Sequence, residues 1–133
     1  MALVLPDAGE RNALDMWLSD ASPEAQTLKL YTNDVTPAEG DTAATYTEAA
    51  GSGYASKALA RATWNAAATN AGVTSKDYPQ QTFNWTGTIT IVGYFIVKVT
   101  AGTILWAERM FTSPGQVFNN GDVLKVTPRI EQA

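Results

Sequence analysis

Glu108 is the ionisable residue most out of place in this chain. It interrupts an apolar strand face between Trp106 and Met110. A carboxylate in such a position could act as a general acid if a second carboxylate approached it, as in glycoside hydrolysis. The only long acidic loop that could bring one is Asn33 to Thr45, which carries Asp34, Glu39 and Asp41. The same three side chains could offer oxygens to a calcium ion. Their spacing does not follow the alternating ligand pattern of a calcium-binding loop with its closing glutamate. No histidine and no cysteine occur. The usual base near neutral pH, the commonest metal ligand and every thiolate site are therefore missing. A nucleophilic serine needs a base to activate it, and Ser56-Lys57 are adjacent rather than spaced for that work. Gly51-Ser52-Gly53 is not followed by Gly-Lys-Ser/Thr, so it is no phosphate loop. The default for Glu108 is an ion pair with a lysine or arginine on the adjacent strand. The chain reads as a non-enzyme with no catalytic residues, no cofactor and no metal site.

The elements around these residues are mostly strands. Tyr78 to Phe111 reads as three consecutive strands joined by tight glycine turns at Gly87 and Ala101-Gly102. Phe83 and Trp85 alternate with Thr82, Asn84 and Thr86. From Thr88 to Thr100 both parities are apolar. Ile89, Ile91, Phe95, Val97 and Val99 share one, and Val92, Tyr94 and Ile96 the other. In the next run Ile104, Trp106 and Met110 fall on one face, Leu105 and Phe111 on the opposite one. An antiparallel sheet with one wet face alternates more cleanly than this. A second layer, from this chain or from another molecule, must cover the other side.

Upstream, Leu28 and Leu30 alternate with Lys29 and Tyr31 in a half-buried strand over Thr27 to Thr32. The alanines of Tyr54 to Asn65 suit a helix, but Ala58, Ala60, Ala62 and Trp64 alternate with Lys57, Leu59, Arg61 and Thr63, and the glycines before the stretch and Trp64 at its end favour the strand reading. Ala66 to Lys76 is read as a loop with a short extended piece. Downstream, Ser113-Pro114-Gly115 is a turn and Gln116 to Phe118 a brief strand. Asn119-Asn120-Gly121-Asp122 is a hairpin signal. Val123 to Thr127 forms the last strand, and Pro128 places that end at a sheet edge. Before all of these comes an arm and helix over residues 1–20. Leu3, Val4 and Leu5 precede Pro6, Asp7 and Glu10 suit a capping box, and Leu14, Trp17 and Leu18 follow at helical spacing in a helix over residues 8–19. The pattern predicts an all-β protein: an antiparallel β-sandwich, jelly-roll-like, over residues 21–133, with one short N-terminal helix.

No apolar stretch is long enough to span a membrane, and the N-terminus lacks the charged and apolar regions of an export signal. The Asn84-Trp85-Thr86 acceptor triplet is then a chance match. A net charge of −4 argues against nucleic acid as a partner. Residues 1–48 hold nine acids and two bases, net −7; residues 49–133 hold four acids and seven bases, net +3. Such polarity suits attraction between an acidic and a basic surface. Tyrosine-rich loops on a sandwich could also bind a glycan, with Tyr46, Tyr54 and Tyr78 better placed for it than the strand aromatics.

Four phrases carry a resemblance: LKLYTNDVTPAEGDTAATYTEAAGSGYASKAL (28–59), QQTFNWTGTITIVGYFI (80–96), ILWAERMF (104–111) and NNGDVLKVTPRI (119–130). In order and spacing they resemble small virion proteins of tailed bacteriophages, of the head cement or decoration type. The resemblance implies a jelly-roll-like sandwich bound to the outside of a capsid shell. It implies the major capsid protein as partner, a homotrimer, and assembly in the bacterial cytoplasm without export. Residues 1–20 lie outside it, and their Leu3, Val4, Leu5 and Trp17 are the candidate assembly contacts. The alternative is a glycan- or receptor-binding module of a phage tail; a small hydrolase built on Glu108 is a third reading.

Overall fold

A computed structural model describes residues 3–4, 6–9, 25–99 and 102–132. The fold is all-β and antiparallel, and near the N-terminus residues 7–9 are helical. The rest of the helix expected over 8–19 lies outside the described residues. Asp7 is already helical rather than a cap, and its backbone N–H is held by Glu39 O at 2.9 Å. The strands are β1 Leu3–Val4, β2 Gln26–Tyr31, β3 Lys57–Leu59, β4 Ala68–Asn70, β5 Val73–Asp77 and β6 Gln81–Asn84. They continue as β7 Ile89–Ile91, β8 Gly93–Lys98, β9 Ile104–Arg109, β10 Gln116–Phe118, β11 Val123–Val126 and β12 Arg129–Gln132.

One layer is a five-stranded sheet in the order β1-β9-β8-β2-β3. The other is a long ribbon. Strands β5, β6 and β7 pair in turn with β12, β11 and β10, and β4 adds an edge beside β5. The ribbon keeps step across its middle interruption: Asn84 faces Val123, Ile89 faces Phe118, and residues 85–88 lie against 119–122. Trp85 N–H donates to Asp122 O at 3.0 Å and Gly121 N–H to Trp85 O at 2.9 Å, so the two chains stay joined there.

Both turn signals are therefore corrected. Gly87 and Asn119–Asp122 do not reverse the chain onto itself. Each bends one strand of the ribbon, and the two bends sit side by side. A tight turn needs only local geometry, and whether the next strand pairs backward or onward is settled by its partner. Three further readings change. The strand over Tyr54 to Asn65 shrinks to β3, followed by a single 3-10 turn at Arg61–Thr63. Ala66 to Lys76, expected as a loop with only a short extended piece, forms the two strands of the β4–β5 hairpin. Its two-residue turn is Ala71-Gly72, with φ of 50° and 82°. Residues past Pro128 form a further strand, β12, which does lie at a sheet edge.

At Val92 the chain passes from ribbon to sheet. Val92 N–H bonds Tyr31 O at 3.0 Å, and Val92 O accepts from the N–H groups of Met110 and Phe111, each at 3.0 Å. Next to it, Gly93 lies between Tyr31 on β2 and Arg109 on β9. A Cβ there would come within 2.1 Å of Glu108 O and 2.6 Å of the Tyr31 hydroxyl.

The sheet is buried on both sides, and alternation divides its residues. Leu28, Leu30, Tyr94, Ile96 and Trp106 pack against Phe83, Trp85, Ile91, Phe118, Leu124 and Val126 of the ribbon. Tyr31, Phe95, Val97, Ile104 and Ala107 face the other way, against Tyr46, Val35, Ala43 and Ala8. Ile104 and Trp106, expected on one face, are separated by a bulge. Val97 pairs with Ile104 and Ile96 with Trp106, leaving Leu105 as the extra residue. The missing second layer thus comes from this chain, in the loop after β2 and the segment around Ala8.

Two substitutions test this frame. Ala71→Asn relieves a left-handed alanine at a turn position that favours asparagine before glycine, and should stabilise by about 0.5–1 kcal/mol. Gly93→Ala forces backbone against backbone and should cost about 3 kcal/mol or more. Thermal and urea unfolding read both; equal midpoints for Gly93→Ala and the parent chain would refute the Gly93 contact.

Candidate functional site

Glu108, Asp34 and Asp41 are each held by partners within the fold. Glu108 sits on β9 opposite Tyr94 and Leu3. Its carboxylate accepts a hydrogen bond from the buried Tyr94 hydroxyl. That phenol, not a lysine or arginine, is the neighbour described on the adjacent strand. Burial first, and then the Glu108 charge, push the Tyr94 phenol well above its ordinary range. Arg109, the next residue, points to the opposite face of β9. Its guanidinium pairs with Asp34, its Nε donates to Phe111 O at 2.8 Å, and it reaches the Thr36 hydroxyl. The Ser113 hydroxyl donates to the second Asp34 oxygen. Asp34, Arg109 and Ser113 thus clasp the loop after β2 to the end of β9 and the turn beyond it. Ser113 and Arg109, in that order, hold the Asp34 carboxyl below the usual carboxylate range.

Asp34 and Glu108 lie with their partners on opposite sides of the five-stranded sheet, so a two-carboxylate site does not assemble from them. Asp41 is turned inward on its own loop. It accepts from the Tyr46 hydroxyl at 2.6 Å and from Ala38 N–H at 2.8 Å. Among the described residues no group of three carboxylates converges as a metal would require.

The tyrosines expected as glycan platforms are in the core. Tyr46 stacks on Phe95 with ring centroids 5.2 Å apart and packs on Tyr31. Tyr78 meets the edge of Trp64, and its hydroxyl accepts from Ala60 N–H at 3.1 Å. Half-buried Tyr54 stacks on Phe83, donates to Glu48 at 3.0 Å and accepts from Leu30 N–H at 3.2 Å. Lys29 completes that cluster by pairing with Glu48 at 3.1 Å. No described tyrosine or tryptophan is exposed. These rings lie beside loops in sequence, yet the loops fold back over the sheet and carry the rings inward. Sequence reasoning missed the Asp34–Arg109–Ser113 clasp altogether. Its members are more than seventy residues apart, and no local pattern announces such a contact.

Of the candidate assembly contacts, Leu3 and Val4 form β1 on the edge of the chain's own sheet, paired with Glu108 and Ala107 of β9. Leu5 and Trp17 lie outside the described residues.

With the geometry in place, the chain was compared with known proteins. A family model described as podophage GP4 fiber I protein gp80 matches residues 8–130. The chain belongs to that family. It is a structural protein of a phage virion, as the sequence phrases had implied. The description names a fibre and says nothing of head cement. The match also begins at residue 8, so it takes in the N-terminal region that the phrases left out. A search of curated proteins gave no match.

Ionisation tests the buried contacts. Burial pushes the Tyr31 phenol up to about 12, and Tyr46 and Tyr94 are raised further by burial and by Asp41 and Glu108 respectively. The unfolded chain ionises these groups near pH ~10. Their contribution is therefore complete below that pH and declines above it, by about 1.4 kcal/mol per pH unit for each. Urea midpoints should fall steeply in alkali, and Tyr46→Phe should reduce the slope. For Asp34 the sign reverses. Its lowered pKa gives stability that is complete above the ordinary carboxylate value and lost as pH falls through the lowered one. Asp34→Asn should flatten that acid limb; an unchanged limb would exclude the clasp as a contributor.

Proposed function

We propose that the protein is a fibre component of a podophage virion, a β-sandwich building block that works by holding neighbours at fixed geometry and transforms no substrate. The family match over residues 8–130 carries this reading. The structure supports it in two ways. The ionisable groups singled out above are bound to one another as scaffold. Aromatic rings pack through the core, with Trp64 against Trp106 and Trp85 against Phe118. Exposed large apolar side chains are few, Val99, Val117 and Val123 among the described residues. Adhesion by this protein therefore relies on polar surface and backbone edges rather than on one greasy patch.

The second reading places the same fold on the head shell, as a trimeric cement protein bound to the major capsid protein on the capsid exterior. The four sequence phrases favour it. In either placement assembly follows synthesis in the bacterial cytoplasm. Tail placement also keeps the receptor-binding alternative in play, without the tyrosine platforms first assigned to it.

Labelling decides between them. In virions carrying an epitope tag on this chain, gold-conjugated antibody viewed by electron microscopy should mark fibres and leave head faces bare. Gold distributed over the whole shell would reject the fibre placement in favour of cement. Virions assembled with Glu108→Gln should retain full infectivity where folding is preserved, as expected for a residue with no catalytic duty.

A further inference from the structure

Asn120-Gly121 lies where the two chains of the ribbon bend side by side. Of all the asparagines in the chain, only Asn120 precedes a glycine. An asparagine so placed can modify itself. The backbone nitrogen of the next residue attacks the side-chain Cγ, the amide nitrogen leaves as ammonia, and a five-membered imide closes. Water then opens the imide at either carbonyl and leaves aspartate or isoaspartate. Glycine favours the attack because it has no side chain to obstruct it. The fold nevertheless calls for glycine at this position, since Gly121 takes φ 91°. The labile pair is thus a consequence of the bend.

Both residues are exposed, so water and base reach them. The backbone holds them unreactive. Asp122 N–H donates to Asn119 O at 3.0 Å, which closes a β-turn over residues 119–122. Gly121 is left-handed and Asn120 is not, so the turn is of type II. That geometry turns the attacking nitrogen away from the Asn120 side chain. The same nitrogen is engaged, because its N–H donates to Trp85 O at 2.9 Å. Attack requires the nitrogen to rotate about the Asn120 Cα–C bond and to lose its proton, and both break that hydrogen bond. Three further bonds resist the rotation. Trp85 N–H donates to Asp122 O at 3.0 Å, Asn119 N–H to Asp122 Oδ2 at 2.7 Å, and the Thr88 hydroxyl to Asn119 Oδ1 at 3.1 Å. We propose that Asn120-Gly121 is a latent modification site, held shut by the crossing of residues 85–88 with 119–122 and cyclising only when that crossing opens. The change is then locked in. Isoaspartate routes the main chain through Cβ and Cγ, adds one methylene, and shifts the Gly121 N–H relative to Trp85 O. The ladder is in register on both sides of the bend, at Phe118 with Ile89 and at Val123 with Asn84, so the extra atom has nowhere to go without displacing one of them. A new carboxylate beside Asp122 adds repulsion. The inference does not depend on where in the virion the protein sits.

The test ages the full chain in mildly alkaline buffer, with and without enough urea to unfold it. Trypsin then releases the peptide Met110–Lys125, and fragmentation in the mass spectrometer locates the conversion of amide to acid. The folded chain should convert at Asn120 roughly tenfold or more slowly than the unfolded one, since reaction waits on local opening. Thr88→Val removes one tie and should speed conversion of the folded chain about twofold or more, with the rate in urea unchanged. Asp122→Ala removes another and serves as the second variant if Thr88→Val does not fold by circular dichroism. Chain aged in urea and refolded should unfold at a lower urea midpoint than fresh chain. Equal rates in the folded and unfolded chain, no conversion at Asn120 in urea, folded rates indifferent to both variants, or an unchanged midpoint after ageing would each overturn the proposal.

Discussion

The two layers are joined through Val92 and Gly93. Before this point the chain is one strand of the ribbon; after it, as β8, it is the central strand of the five-stranded sheet. The change of partner leaves Val92 with hydrogen bonds to both Tyr31 on one side and Met110 and Phe111 on the other. A buried backbone group without a partner is costly, so the crossing can occur only where both neighbours arrive together. Gly93 makes that arrival possible, because any side chain would strike the Glu108 carbonyl. The Tyr31 ring takes the space so left. It sits on the far side of the sheet and begins the second hydrophobic cluster, so the joint also organises the loop that covers that face.

From this constraint follows the division of labour among the polar groups. The loop after β2 has to lie flat over Phe95, Val97 and Ile104. Backbone polar groups in such a loop need partners, and Asp34, Asp41, Tyr46 and Arg109 provide ties at intervals along it. The exposed pair Lys29–Glu48 adds little by itself, since surface ion pairs contribute about 0–1 kcal/mol. The Tyr54 hydroxyl beside it matters more as a bridge, linking Glu48 to the Leu30 backbone. Acidic residues that looked available for a metal or a substrate are the fasteners of a covering loop. This use of the acidic residues as structural ties agrees with membership in a virion fibre family.

Such a scaffold offers its neighbours polar surface and strand edges. Nearly all large apolar side chains among the described residues are used internally, in one cluster on each side of the sheet. The apolar surplus that suggested an external partner from sequence is thus explained within the molecule. Partner recognition has to be argued from edges and charges instead.

Composition and periodicity were enough to determine that the chain is all-β and antiparallel, and that its strands near Ile91 to Leu105 are buried on both faces. They also showed that histidine and thiolate chemistry are absent, because those conclusions depend on residue type and on a period of two. The edge position after Pro128 was legible for the same reason: a missing N–H is a local fact. Tertiary structure alone decided which strands pair. Gly87 and Asn119–Asp122 carry the residues of reversing turns and yet lie side by side in a continuing ribbon. The Leu105 bulge shifted the parity of β9, and the Ala71-Gly72 turn was hidden by an alanine in a left-handed position. It decided as well that Tyr46 and Tyr78 point inward and that Arg109 finds Asp34. Contacts between segments more than seventy residues apart are set by how whole layers pack, and no spacing within one segment encodes them.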